Sequence, residues 1–370
     1  MTESGALLIE RKKKKSGDLP LLFSVILLSL LGLAFVYSAS KYSAKTTYGD
    51  EFYFAKKHLI GLLLGYAAMI FGMFFDYRKY KKIALAALLG VFVLLGLVFT
   101  PIGYSNYGAT RWIRLFGITV QPSETAKICF VIFAASYFSS SPQRAKSFVG
   151  CLPVLGAGGA ICVLIILEPN MSITVCFGLL TLAVLFFAGM KTSHFVVLLV
   201  PAALAVPLLI IAEPYRLNRL SAFLNPWASP KGEGYQLLQS LYALGSGGWF
   251  GVGFLQSRQK LRFLPFSESD FILAVIGEET GFTGLVILFA IILFVIVRGI
   301  KIAVNAKDYF GYLLASGITS VYAIQTLVNA LVVTGSIPPT GLPLPLISAG
   351  NTSLIVFLFS FGIVYNISEN

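Results

Sequence analysis

The sequence is short of charge, of histidine and of reactive cysteine, and each shortage removes a class of function. Only 12% of its 370 residues are charged, against roughly a quarter in soluble domains, so a water-soluble enzyme or scaffold is excluded. The two histidines, His58 and His194, are too few for a zinc cluster and argue against a histidine-based triad or relay. Four cysteines, Cys129, Cys151, Cys162 and Cys176, sit in apolar runs without ligand or catalytic spacing and read as small buried hydrophobes. The glycines from Gly245 to Gly253 follow no strand and form no phosphate-cradling motif.

What is abundant is apolar: 57% hydrophobic residues and a mean hydropathy of +0.83. The apolar runs are about 20 residues long, the length that crosses a bilayer. The expected fold is an all-α integral membrane protein of about ten transmembrane helices. The spans read as 19–37, 58–75, 83–100, 123–139, 148–167, 173–188, 195–212, 270–298, 312–334 and 354–365. The net charge of +12 resides in short loops between apolar runs, a topology signal that gives no reason to expect nucleic acid.

The run Arg11 to Lys15 precedes the first span as in a signal anchor, and the turn from Asp76 to Lys82 carries four cations. Both belong on the cytoplasmic side, which places both termini there. Residues 1–18 are then a basic cytoplasmic tail, 19–366 one membrane domain and 367–370 a short cytoplasmic end. Residues 213–269 form a long extracytoplasmic loop between the seventh and eighth spans. Inside it, Tyr235 to Leu244 has helical periodicity, and Ser246 to Phe254 is apolar enough to lie on or dip into the bilayer.

Under this topology the unusual polar residues gather on the outer side. Asp270 stands at the mouth of the eighth span, and an ionisable group there is expensive unless it has a function or a partner. A helix-capping role is the competing reading. Ser123, Glu124 and Lys127 share a face of the fourth span, where Lys127 either meets a phosphate or balances a carboxylate. Arg111 reads as a phosphate ligand or a lipid-headgroup contact, and Trp112 as part of the site or of the interfacial aromatic belt. Glu278 and Glu279, two turns below Asp270, face different directions and so have different partners.

In order along the chain, several motifs resemble the SEDS family of bacterial shape, elongation, division and sporulation proteins, the FtsW, RodA and SpoVE type. They are Asp76-Tyr77-Arg78, Gly108 to Ile113, Gln121-Pro122-Ser123-Glu124 with Lys127, Glu168-Pro169-Asn170, Gly234-Tyr235-Gln236, Asp270 to Glu279, and Pro343-Leu344-Pro345 leading to Ser348. The resemblance implies a peptidoglycan glycosyltransferase of the bacterial cytoplasmic membrane that polymerises lipid II. It implies undecaprenyl-diphosphate-linked glycan as donor, a class B penicillin-binding protein as transpeptidase partner, and Asp270 as the catalytic residue. The chain departs from the family at Glu268-Ser269, Asn170 and Gly350-Asn351-Thr352-Ser353.

On that reading Asp270 is the general base, and Arg111, Lys127, Arg216, Arg219 and Lys260 are candidates to hold diphosphates, with Trp112, Ser123, Glu124 and Ser348 also lining the substrate site. A divalent cation, Mg or Mn, fits the chemistry of a diphosphate leaving group, although no sequence motif encodes one. A flippase for the lipid-linked precursor is the alternative, and a recruiting scaffold is a third. Transport requires charge along the whole path, whereas the cytoplasmic halves of the spans are nearly free of it.

Overall fold

The structure is a computed structural model that describes residues 17–106, 109–115, 118–211 and 213–370. The Arg11 to Lys15 run and Gly108 lie outside the described residues. Each expected span falls on a helix: α1 Leu19–Tyr48, α2 Tyr53–Phe74, α3 Tyr80–Leu97, α4 Pro122–Ser140, α5 Phe148–Leu167, α6 Met171–Phe187, α7 Thr192–Ile211, α10 Ile272–Val304, α11 Tyr309–Val333 and α12 Asn351–Glu369. Two further helices, α8 Pro214–Leu224 and α9 Tyr235–Gly247, lie in the long connection. Among the described residues, seven helices are long and apolar enough to cross a membrane. The chain is therefore a multi-pass membrane protein.

Helices α11 and α12 form the centre of the bundle. In their most apolar stretches 61% and 67% of residues are buried, against 22–39% in the other five membrane-length helices. Helix α11 packs against α4, α6, α10 and α12, and α12 lies along α2. That last contact is close: a Cβ on Gly362 of α12 would stand 2.2 Å from the Met69 carbonyl of α2. Small residues permit such backbone approach where lipid supplies no hydrophobic drive between helices.

The element ends follow from local chemistry. Asp18 caps α1 by accepting from the Leu21 amide, and Gly49 closes it with φ 73°. Asp308 caps α11 through the Gly311 amide at 2.7 Å. At this same end of the bundle Arg298 donates to Asp18, and the Tyr77 hydroxyl and Arg78 both donate to Asp308. The end of α10 is thereby tied to the cap of α1, and the turn before α3 to the cap of α11.

Several boundaries differ from the sequence reading. The polar stretch from Ser38 continues α1 to Tyr48, and within it Ser40 and Thr46 satisfy their hydroxyls on carbonyls one turn earlier. The eighth span begins at Ile272, not Asp270, and runs past Arg298 to Val304. Its first residues are interrupted at Gly281, whose φ of 68° breaks the helical path. The tenth span extends to Glu369.

The segment between α3 and α4 forms a small antiparallel sheet in an otherwise helical protein. Its strands are β1 Gly103–Asn106, β2 Ala109–Leu115 and β3 Ile118–Val120, with β2 in the middle. Thr110-Arg111-Trp112-Ile113 contains the β-branched and aromatic types that favour strands.

Candidate active site

Asp270 is the last residue but one before α10, and its carboxylate caps nothing: the N-cap is Phe271, without a side-chain bond. The capping role is thus absent. Its backbone is fixed instead. Asn329 of α11 donates its side-chain amide to the Asp270 carbonyl and to the Leu342 carbonyl, each at 2.8 Å. Ser348 donates to the Ser269 carbonyl at 2.6 Å while accepting from the Leu344 amide at 2.8 Å. The Ala349 amide donates to the Glu268 carbonyl.

The Asp270 side chain is half-buried, and Oδ2 faces Gly341, where an added Cβ would sit 3.4 Å away. Burial pushes its carboxyl up to about 6. A hydrogen bond from Ser269 opposes the rise, the neighbouring Glu268 adds to it, and the positive charges of Arg111 and Arg219 pull it down. The Glu268 carboxyl is also raised by burial.

Arg111 arrives from β2 and reaches the turn after α5, where it donates to the Glu168 and Pro169 carbonyls. Beside it the Glu168 carboxylate is 1% exposed and neither oxygen has a hydrogen-bond partner. Burial pushes this carboxyl up to about 8, partly offset by Arg111. Arg219 comes from α8 and donates to the Pro339 carbonyl at 3.3 Å. Arg216 stands one turn earlier on the same face of α8. Two arginines from unconnected elements thus place their charge in the field of one carboxylate.

Other expected site residues are elsewhere. Trp112 neighbours Arg111 on β2, so its side chain leaves the opposite face of the sheet, where it pairs with Tyr104 of β1. Lys127 is 1% exposed and donates to Glu124 at 2.7 Å and to Gln325 of α11. Of its two sequence readings, balancing a carboxylate is the one that matches its contacts. Ser123 is fully buried, and its hydroxyl and the second Glu124 oxygen have no hydrogen-bond partner.

Lys260 differs from expectation in the same way. It is 5% exposed and donates to Glu279 at 2.7 Å and to Ser38 of α1 at 3.0 Å. An ammonium so enclosed and paired holds the loop to α10 and α1. Glu278 turns the other way and collects Ser257 together with the Arg258 and Gln259 amides. The two adjacent glutamates therefore have different partners, as their helical positions require.

Sequence reading missed Gln325 and Asn329. Gln325 links Lys127 to the Pro343 carbonyl, and Asn329, one turn on, holds Asp270. The signal was present: two amides four residues apart in an apolar helix mark a buried polar face.

The architecture is thus that of a polytopic membrane protein whose polar site sits at one end of the bundle, assembled from four separate connections. The sequence profile of the FtsW/RodA/SpoVE family, described as a cell cycle protein, matches residues 19–370. The chain belongs to that family. It is 39% identical over 353 residues to a probable peptidoglycan glycosyltransferase FtsW of Geobacter metallireducens, covering 95% of this chain and 94% of the relative. It is 39% identical over 363 residues to the stage V sporulation protein E of Bacillus subtilis, covering 96% and 98%. Among solved structures it resembles a chain of a peptidoglycan synthase complex that coordinates polymerization and crosslinking, with a TM-score of 0.78, 27% identity and coverage of 96% and 98%. It shares the fold of the rod shape determining protein RodA of Thermus thermophilus, with a TM-score of 0.71, 24% identity and coverage of 96% and 97%.

Proposed function

We propose that the Asp270 end of the bundle faces the outside of the bacterial cytoplasmic membrane and there polymerises lipid II into glycan strands, with Asp270 as general base. The chain is a peptidoglycan glycosyltransferase of its family, acting in division, elongation or sporulation. The observation that carries the finer reading is the Asp270 carboxyl itself. It is poised near 6 and flanked by two arginines from different elements, a combination expected of a base working beside anionic substrate.

In the reaction the ionised Asp270 takes the proton of the sugar 4-hydroxyl of one lipid II. That oxygen attacks the anomeric carbon of the glycan carried on a second lipid, forming the glycosidic bond as the bond to the diphosphate breaks. Negative charge accumulates on the leaving diphosphate. Arg111 and Arg219, with Arg216 behind them, offer paired donors to that charge. Their backbone contacts to 168–169 and 339 preset their direction.

Mg or Mn fits the site only as a companion of the diphosphate. No group of three or more His, Cys, Asp or Glu side chains converges among the described residues, which rules out a cage built from those side chains there. Mg typically binds through one or two carboxylates plus phosphate oxygens, and Glu268 is the carboxylate beside Asp270 that suits this role. The cation would supply charge to the leaving group.

All ten long helices cross the membrane in this reading, with both termini in the cytoplasm. The likeness to a synthase complex supports a class B penicillin-binding protein as partner. The test is to incubate the purified full chain with labelled lipid II and separate the products. Glycan ladders from the wild type and none from Asp270→Asn are expected. Near-wild-type ladders from the variant would overturn the assignment of the base, and translocation without polymerisation would favour the flippase.

A further inference from the structure

The Asp76-Tyr77-Arg78 motif lies at the end of the bundle opposite Asp270, and the reaction makes no use of it. There the first turns of α3 and α11 and the last turn of α4 enclose a cleft of about 230 Å³, lined by Arg78, Lys81, Ser139, Asp308, Tyr309 and Phe310. We propose that this cleft binds the phosphate of an anionic phospholipid from the leaflet opposite the Asp270 site.

The arginine is preset for an anion. Its guanidinium lies over the Tyr77 ring at 4.9 Å, and its Nε donates to Asp308 Oδ2 at 3.2 Å. The two terminal nitrogens of Arg78 make no hydrogen bond among the described residues. Asp308 does not occupy them: its oxygens accept from the Gly311 amide and the Tyr77 hydroxyl, and it meets the guanidinium only at Arg78 Nε. Asp76 is used in the same way, accepting from the Arg78 amide. Lys81 is half-buried with no ion-pair partner for its ammonium among the described residues, while its carbonyl is fixed by Ser136 of α4. The cleft therefore offers a planar donor pair and a point charge, a set that suits a phosphate.

A lipid is singled out over a free phosphate by what continues from Lys81 along α3. Leu85 and Leu89 follow at one-turn intervals and are 60% and 56% exposed. A phosphate seated at Lys81 has an open apolar track for its acyl chains directly along the same helix. Lys79 and Lys82 border the turn, and the whole lies where the polar helix ends meet the lipid-facing surface. Basic recesses between helix ends of this kind are established sites for anionic headgroups.

The probes are phosphatidylglycerol, phosphatidylcholine of the same chain length, and inorganic phosphate, each added to the detergent-purified full chain and followed by native mass spectrometry. Phosphatidylglycerol is expected to be retained over phosphatidylcholine. Lys81→Gln should weaken that retention about five-fold, from a contribution of about 1 kcal/mol per basic residue at a membrane surface. Lys81→Arg should preserve it, and Lys45→Gln, an exposed cation at the other end of the bundle, should leave it unchanged. Equal retention of the two lipids, or retention of phosphatidylglycerol indifferent to Lys81→Gln, overturns the proposal. So does a phosphate adduct that Lys81→Gln abolishes in the absence of any lipid preference, which would assign the cleft to free phosphate.

Discussion

Lys260 reaches from the long connection to Glu279 of α10, Nζ to Oε1 at 2.7 Å, with side-chain exposures of 6% and 0%. An enclosed pair of this kind is costly to break from one side. Lys260→Met leaves the Glu279 carboxylate buried with only Ser38 and the Ser257 amide for company. A loss of about 3 to 5 kcal/mol is expected, read as a large fall in melting temperature in detergent. Adding Glu279→Gln to Lys260→Met should recover much of it. No recovery would mean that Lys260 acts through another contact.

Asp270→Asn removes the proton acceptor while keeping the shape. Polymerisation should fall by about 100 to 10,000-fold, the usual contribution of a general base. The same variant should be more stable than wild type at neutral pH. Asp270 holds its proton more tightly folded than unfolded, so the folded state loses ground as pH rises from the ordinary carboxyl value of 3.8 to about 6. The gain from Asn is at most about 3 kcal/mol above that window and vanishes below it. Melting curves at two pH values give the sign directly.

The rate itself carries the same signature. With its carboxyl near 6, Asp270 is the ionised base at neutral pH and is protonated below. The polymerisation rate should fall about tenfold per unit of pH on the acid side. An acid limb displaced to the ordinary carboxyl range would place the essential base on a different residue.

Glu168 gives an independent titration. Its buried carboxyl, pushed up to about 8, destabilises the fold progressively as pH rises from 4.5 to that value. Glu168→Gln should therefore raise the melting temperature at alkaline pH by about 2 to 4 °C for each kcal/mol relieved. Near pH 4 it should change little. A variant equally stable with wild type at both ends would show that water satisfies the carboxylate.

Asn329→Ala cuts the two bonds that hold the Asp270 and Leu342 carbonyls. Asn329 does not touch substrate in this arrangement, so its loss should lower kcat about tenfold or more through misplacement of the base while leaving KM nearly unchanged. Asn329→Asp, which keeps the shape but removes the donor, should not rescue. A change confined to KM would put Asn329 in the substrate site instead.

Much of the fold was legible because apolar length is a strong signal, and Pro122 and Asn170 mark helix starts by their own chemistry. The extension of α1 was not, since Ser40 and Thr46 look like loop until their hydroxyls are seen returning to the helix. The site was partly legible. Asp270 announces itself as a charge at a span end, and Arg111 as one in the short polar connection before α4. Lys127 and Lys260 carry the same letter as a phosphate-binding lysine, and only the packing of Glu124 and Glu279 against them tells the roles apart. Gln325 and Asn329 went unread because each looks isolated in an apolar run, and only their four-residue spacing puts both on one face of α11.

At Gly281 the chain doubles back on itself. The amides of Val252 and Gly253 donate to the carbonyls of Glu278 and Glu279, and those of Phe282 and Thr283 donate to Gly248 and Trp249. A Cβ on Gly251 would fall 2.1 Å from the Glu279 carbonyl, so the two backbones lie against each other. The excursion that carries Lys260 and Asp270 is therefore a closed ring, pinned where it departs and where it returns, and much of its freedom is removed as in any loop with joined ends. Asp270 is located from Gly281 by two struts, the short helical segment and the pinned loop.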